Sequence, residues 1–345
     1  MKNNRKYFGY IFLLLILIFG YIGWILFGVT INEPQQKYFY IHTGASYQNV
    51  KDSLIDKKII SGTFWFDKVA EYLHYDKSIK PGRYKVNNGM SLVNFVRMLR
   101  SGNQSPVNLI IIKLRTKEDL AKKLGNNFEC DSLVVINYLN NNDSLSKYNL
   151  DTNTVMTAVI PNTYILKWNN TPSTIFKKLF TEQQKFWTEK RTAQASALHL
   201  SPKEVYTLAS IVEEETNKEE DKGKIASVYI NRMRTGMRLA ADPTVKFAMK
   251  DFGLKRIYFK YLSYSSPYNT YRISGLPPGP ICTPSIETID AVLNAPSTNY
   301  LFFVAKPDFS GYSNFASGFD EHQKFAKAYQ QALDSIIRIK QQNQN

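Results

Sequence analysis

The chain has 345 residues, 43% hydrophobic and 21% charged. That is too apolar for a disordered chain and longer than one core usually organises, so two or three domains are expected. Forty-four Lys and Arg against 29 Asp and Glu leave +15 at pH 7, which favours a polyanion, an acidic polymer or a membrane surface as neighbour. Cys130 and Cys282 allow one bridge at most, and His42, His74, His199 and His322 are scattered. A disulfide scaffold and a metal site with ligand spacing are thereby excluded, and no cofactor is called for.

From Phe8 to Val29 the chain runs 22 residues without a charge, enough to cross a hydrocarbon core of roughly 30 Å as a helix. Lys2, Arg5 and Lys6 precede the run with no acid nearby, so the positive-inside tendency keeps residues 1–7 in the cytoplasm and sends the rest across. A cleaved signal peptide is the alternative. The run exceeds an h-region of about 7–15 residues, and GVTINEPQQ offers no small-x-small cleavage site, so an uncleaved single-pass anchor in the plasma (inner) membrane is expected. Beyond it 41 positive and 29 negative charges remain, a surplus of +12 on the outer side, where a nucleic-acid partner is not expected.

Three segments then repeat one pattern: a β-rich stretch, a hydroxyl residue, an apolar residue four positions on and Leu eight positions on. They are Ser46, Val50 and Leu54; Ser91, Phe95 and Leu99; and Thr116, Leu120 and Leu124. The hydroxyl is placed as an N-cap and the +4/+8 residues as the inward stripe of a short helix. Lys80-Pro81-Gly82-Arg83 reads as a turn before the second strand, and Ser101-Gly102-Asn103 as the end of the second helix. The pattern fits a generic small α+β domain as well as a ligand-binding module.

Between Cys130 and about Asn170 the sequence is rich in Asn, Asp and Ser and reads as a surface connection without chemistry. Pro161-Asn162-Thr163-Tyr164 follows, and the stretch 171–198 has the apolar spacing of one long amphipathic helix.

Chemistry concentrates between Ser201 and Pro284. Ser201-Pro202 predicts a capped helix start, with apolar residues at Val205, Leu208, Ile211 and Val212. Glu215 continues that stripe, four residues after Ile211 and three after Val212, whereas Glu213 falls on a neighbouring face and Glu214 points elsewhere. A carboxyl on a buried face resists ionisation, which suits a general acid near neutral pH. The bland counterpart is a structural glutamate paired with Arg232, Arg234 or Arg238. Downstream come a second helix, a Gly236 turn, a second carboxylate at Asp242-Pro243-Thr244, and a stiff loop from Gly275 to Pro284 preceded by Tyr268, Asn269, Thr270 and Tyr271. Aromatic faces with amides and hydroxyls on rigid loops suit a sugar.

LASIVEEET, ASVYINRMRTGMRLAADPTV, YNTYRISGLPPGPICTPS and APSTNYLFFVAKPDFSGYSNFASGFDEH resemble, in order and spacing, the catalytic region of the endolytic murein transglycosylases, the YceG-like family. KPGRYKVNNGMSLVNFVRMLRSG resembles that family's LysM-like segment, and PNTY its Pro-Asp-Thr-Tyr element, with Asn162 in place of Asp as a turn residue. Cys282 stands where a small residue is usual and is read as a buried filler. The resemblance implies an α+β protein: a single N-terminal transmembrane helix (8–29), a LysM-like small α+β domain (38–105), a connecting α+β region (106–195) and an α+β catalytic domain (196–335).

It also implies a membrane-anchored lytic transglycosylase that cuts peptidoglycan glycan strands between N-acetylmuramic acid and N-acetylglucosamine, leaves 1,6-anhydro ends and limits nascent strands. Peptidoglycan synthases or division proteins are the implied partners. The family's catalytic glutamate falls on Glu213 or Glu215, and helical phase selects Glu215. Asn231, Asp242, Thr244, Tyr268, Asn269, Tyr271 and His322 are expected to contact the sugars or orient Glu215. A noncatalytic peptidoglycan-binding scaffold, and a hydrolytic muramidase using Glu215 and Asp242 with water, stand as alternatives.

Overall fold

The computed structural model describes residues 2–28, 30–254 and 256–342; Met1 and Val29, the expected end of the span, lie outside them. The chain forms two compact units. One comprises residues 1–109, 127–131 and 165–171, the other 110–126, 132–164 and 172–345. The stretch 106–195 therefore contributes to both units instead of standing between them.

The first unit opens with helix α1 (Lys2–Phe27). Its segment Lys6–Phe27 is long and apolar enough to cross a membrane, with a mean hydropathy of 2.5. Strand β1 (Tyr38–Ile41), helices α2 (Tyr47–Asp56) and α3 (Phe64–Tyr72), strand β2 (Gly82–Lys85) and helix α4 (Leu92–Ser101) follow. β1 and β2 pair antiparallel, Phe39 opposite Tyr84. Ser46 and Ser91 cap α2 and α4 as their spacing predicts, accepting from the N–H of Asn49 and Asn94. Gly102 ends α4 at φ 69°, a left-handed position that costs glycine little. The core gathers Phe39, Leu54, Phe66, Tyr84, Phe95 and Leu99, all fully buried, each worth about 1.5–3 kcal/mol.

Strand β3 (Val107–Ile111) pairs with β4 (Asn162–Leu166). Between them lie helices α5 (Lys117–Asn127), α6 (Ser132–Leu139) and α7 (Asn142–Ser146). Thr116 caps α5 through the N–H of Asp119, whose carboxylate accepts from the N–H of Thr116 in return. The Asn-rich stretch is no bare connection. Asn141 caps α7, Leu139 and Leu145 are buried, and the Asp151 carboxylate gathers the N–H groups of Asn153 and Thr154.

The expected single helix over 171–198 is two, α8 (Pro172–Phe186) and α9 (Glu189–Ala197). Thr188 breaks it. Its extended backbone (φ −63°, ψ 163°) lets the hydroxyl accept from the N–H of Arg191, the local alternative that makes Thr a better cap than helix interior. Helices α10 (Pro202–Glu215), α11 (Glu219–Arg234), α12 (Asp242–Met249), α13 (Phe259–Leu262) and α14 (Ile286–Leu293) follow, then strands β5 (Phe302–Ala305) and β6 (Ser313–Ala316) and helix α15 (Phe319–Gln342). With helices and three two-stranded sheets among the described residues, the fold is α+β. In the second core α10 supplies Val205, Leu208, Ile211 and Val212, against Ile225, Tyr229, Ile289 and Val292 of α11 and α14.

Candidate active site

Ser201 and Glu204 close a capping box at the start of α10, with Pro202 in the first turn, which fixes the helix end that sets the phase of everything after it. Midway along the helix Ser210, fully buried, accepts a 3.0 Å hydrogen bond from the N–H of Ile281. Thr283 and Leu114 exchange hydrogen bonds of 2.7 and 2.9 Å. The rigid loop is thus stitched to α10 on one side and to the β3–α5 connection on the other. Cys282, 1% exposed between these anchors, has its thiol pushed up by burial, so the filler reading holds.

The last turn of α10 presents three consecutive carboxyls to three different environments. Glu213 accepts from the hydroxyls of Ser285 and Thr288 and pairs with Lys222 at 3.5 Å. It therefore ties α10 to the start of α14. Glu214 is held between Lys113 (2.7 Å) and Arg115 (3.2 Å), and these cations keep its carboxyl below the usual range against the pull of burial. Glu215 accepts a 2.7 Å hydrogen bond from the Tyr229 hydroxyl of α11. Among the described residues no Lys, Arg or His lies within ion-pair distance of it.

Glu215 is accordingly pushed up to about 7, chiefly by desolvation; the hydrogen bond from Tyr229 pulls it down, Asp242 adds a like charge, and Arg232 and Lys246 pull it down again. Its place at the C-terminal end of α10 acts in the same upward direction, because unsatisfied carbonyls there disfavour a second negative charge. Arg232 is no salt-bridge partner of the buried kind the bland reading required. Its guanidinium donates to the carbonyls of Leu301 (2.7 Å) and Leu239 (2.6 Å). Arg238 donates to the carbonyl of Tyr271, and Arg234 is exposed.

The remaining expected residues divide in two. Asp242 is exposed at the start of α12 and accepts a 2.6 Å hydrogen bond from the Tyr271 hydroxyl. Desolvation and Asp242 together push the Tyr271 phenol well up, and Glu215 adds to the shift. Tyr268 packs on Phe247 with ring centroids 4.8 Å apart. His322 stacks on Phe302 at 5.1 Å, and burial, then the nearby Arg232 charge, lowers its pKa. Asp242 and Tyr271 share the electrostatic field of Glu215; His322 shares that of Arg232.

Thr244, Asn269 and Asn231 engage their polar atoms within the protein. Thr244 is fully buried and bonds to the Ala241 carbonyl and the Thr270 hydroxyl. Asn269, also fully buried, donates to the carbonyls of Leu262 and Tyr264 and accepts from the N–H of Tyr271. Asn231 spends both amide protons on the carbonyls of Thr298 and Tyr300. All three are loop organisers, because turns without regular hydrogen bonds need side chains to satisfy their backbone.

Tyr229 and Lys246 are the parts of this site that sequence reading missed. Tyr229 lies on the α11 face that carries Ile225 and Arg232, an i, i+3/i+4 relationship visible in the sequence, but nothing there aims it at Glu215.

Residues 39–328 match the YceG-like family. The chain belongs to the YceG-like family. It is similar to a protein of Bacillus subtilis (strain 168) named endolytic murein transglycosylase, 28% identical over 337 residues that cover 91% of each chain. A protein of the same name from Streptococcus pneumoniae serotype 2 is 25% identical over 91% of this chain, which spans only 63% of that longer relative. Among solved structures, a 2.6 Å crystal structure of a yceG-like protein from Listeria monocytogenes superposes with a TM-score of 0.55 at 26% identity, covering 83% of this chain and 98% of that one.

Proposed function

We propose that this YceG-like protein cuts peptidoglycan glycan strands with Glu215 as acid and then base. The chain is a lytic transglycosylase, an assignment supported by its family and by relatives named for that activity. The observation that carries the residue assignment is the division of labour among Glu213, Glu214 and Glu215: two carboxylates neutralised by cations, and one half-buried carboxyl raised to about 7.

The protonated Glu215 gives its proton to the glycosidic oxygen as the bond from C1 of N-acetylmuramic acid breaks. The resulting carboxylate then takes the proton of the sugar's own C6 hydroxyl as that oxygen closes on C1, leaving a 1,6-anhydro ring and consuming no water. Arg232 and Lys246 lower the cost of the transient carboxylate, while Tyr229 fixes its orientation. A water-using muramidase would employ Glu215 with Asp242, so the products decide. Mass spectrometry of digested peptidoglycan should show anhydro ends, lost in Glu215→Gln. Reducing ends would mean hydrolysis, and unchanged strands a binder.

The first unit serves as the LysM-like glycan-binding module in this reading. Its strand–helix–helix–strand order supports that, as does a cleft lined by Tyr40, His42, Thr43 and Asn49, with Trp168 edge-on to both Tyr40 and His42. α1 anchors the chain with both units outside the membrane, where the +12 surplus holds them near anionic stem peptides and biosynthetic partners.

A further inference from the structure

Between the last turn of α10 and α12, the second unit has a small polar recess lined by Arg115, Glu214, Lys246, Phe247 and Phe252. Its charge is lopsided. Lys113 and Arg115 face the single Glu214 carboxylate, and among the described residues no carboxylate lies within ion-pair distance of Lys246. One Arg115 amino group binds Glu214 while the guanidinium lies 5.2 Å from the Phe252 ring, so an edge of the fork stays open on a face held flat by the aromatic. Phe252 in turn packs on Phe247 at 6.3 Å. A guanidinium edge with an unpaired ammonium beside it is the arrangement that binds a carboxylate through two or more charge-assisted hydrogen bonds. Two of its lining residues connect the recess to the reacting carboxyl: Glu215 follows Glu214 on α10, and Lys246 acts electrostatically on Glu215.

We propose that this recess receives a carboxylate of the substrate, so that the enzyme selects glycan strands bearing a free carboxylate next to the cleaved bond. The inference rests on the transglycosylase reading and names what that site recognises besides sugar. Two sources share this chemistry: the free carboxylates of the stem peptide, and the lactyl carboxylate bared when the peptide is removed.

The test uses the full chain on three sets of strands, with stem-peptide carboxylates free, with the same carboxylates amidated, and with peptides stripped. Amidation should raise KM about tenfold, the worth of one charged hydrogen bond. Lys246→Gln and Arg115→Gln should each bring the ratio of amidated to free KM close to one. Stripped strands that behave like amidated ones assign the peptide; free and amidated strands alike in KM, with stripped strands about tenfold lower, assign the lactyl group. Equal KM across all three sets in the unsubstituted enzyme, or a preference kept in both variants, overturns the proposal. Absence of cleavage in every set would instead overturn the transglycosylase reading itself.

Discussion

The Tyr229 hydroxyl donates a 2.7 Å hydrogen bond to Glu215 Oε1, joining the C-terminal end of α10 to the middle of α11. This bond steadies the ionised form of a carboxyl that its surroundings otherwise keep protonated. Tyr229→Phe should therefore move the alkaline limb of the pH–activity curve upward by about one pH unit and lower kcat roughly tenfold, because the reprotonation step loses its aimed acceptor. A pH profile of both forms checks this; an unmoved limb removes Tyr229 from the site.

Asp242 acts in the opposite sense. Its charge raises Glu215, and it is exposed, so solvent and salt screen it. Asp242→Asn should shift the same limb downward by about half a pH unit at low ionic strength, and by less at 0.5 M salt. A shift in the other direction would mean that the loss of its hydrogen bond with Tyr271 dominates.

Stability should carry the same signature. Glu215 is raised from its ordinary 4.5 to about 7, so between these values the folded chain keeps a proton that the unfolded chain releases. Its contribution is fully present below pH 4.5 and is lost as the pH rises through 7. Glu215→Gln removes the titrating charge and keeps the shape. It should match the parent at pH 4 and exceed it by about 1–3 kcal/mol at pH 8, water at the half-buried carboxyl trimming the upper figure. Denaturant titrations at the two pH values measure it, and a variant no more stable at pH 8 than at pH 4 relative to the parent would contradict the account.

Gly279 sits under the Asn-rich stretch. A Cβ there would come within 2.1 Å of the Asn153 carbonyl oxygen and 3.2 Å of the Tyr268 hydroxyl. Backbone cannot yield as a side-chain tip does, so Gly279→Ala should cost about 2–3 kcal/mol and displace Tyr268 with it. A thermal transition unchanged to within a degree would show that the approach is slacker than the structure has it.

Local patterns were legible where local physics decides. Ser46, Ser91, Thr116 and Ser201 cap helices because a hydroxyl before an apolar stripe has few other uses, and helical phase sends Glu213, Glu214 and Glu215 to three different sets of partners. Thr188 was hidden because the apolar spacing runs through it unbroken. The internal hydrogen bonds of Asn231, Thr244 and Asn269 were not legible, because an amide or hydroxyl in a loop looks the same whether it meets a sugar or a carbonyl of its own chain. Tyr229 and Lys246 reach Glu215 across tertiary packing that no spacing encodes.

The threading of the chain sets an order of events in synthesis. Glu129 accepts from the N–H and hydroxyl of Thr43, and its own N–H bonds to the Trp168 carbonyl, so the first unit is complete only after residue 171 has emerged. By then α5, α6, α7 and β4 already exist as nascent chain. A fragment ending at residue 109 would leave His42 and Thr43 without their carboxylate and without Trp168, so separately expressed halves begin with an unfinished first unit.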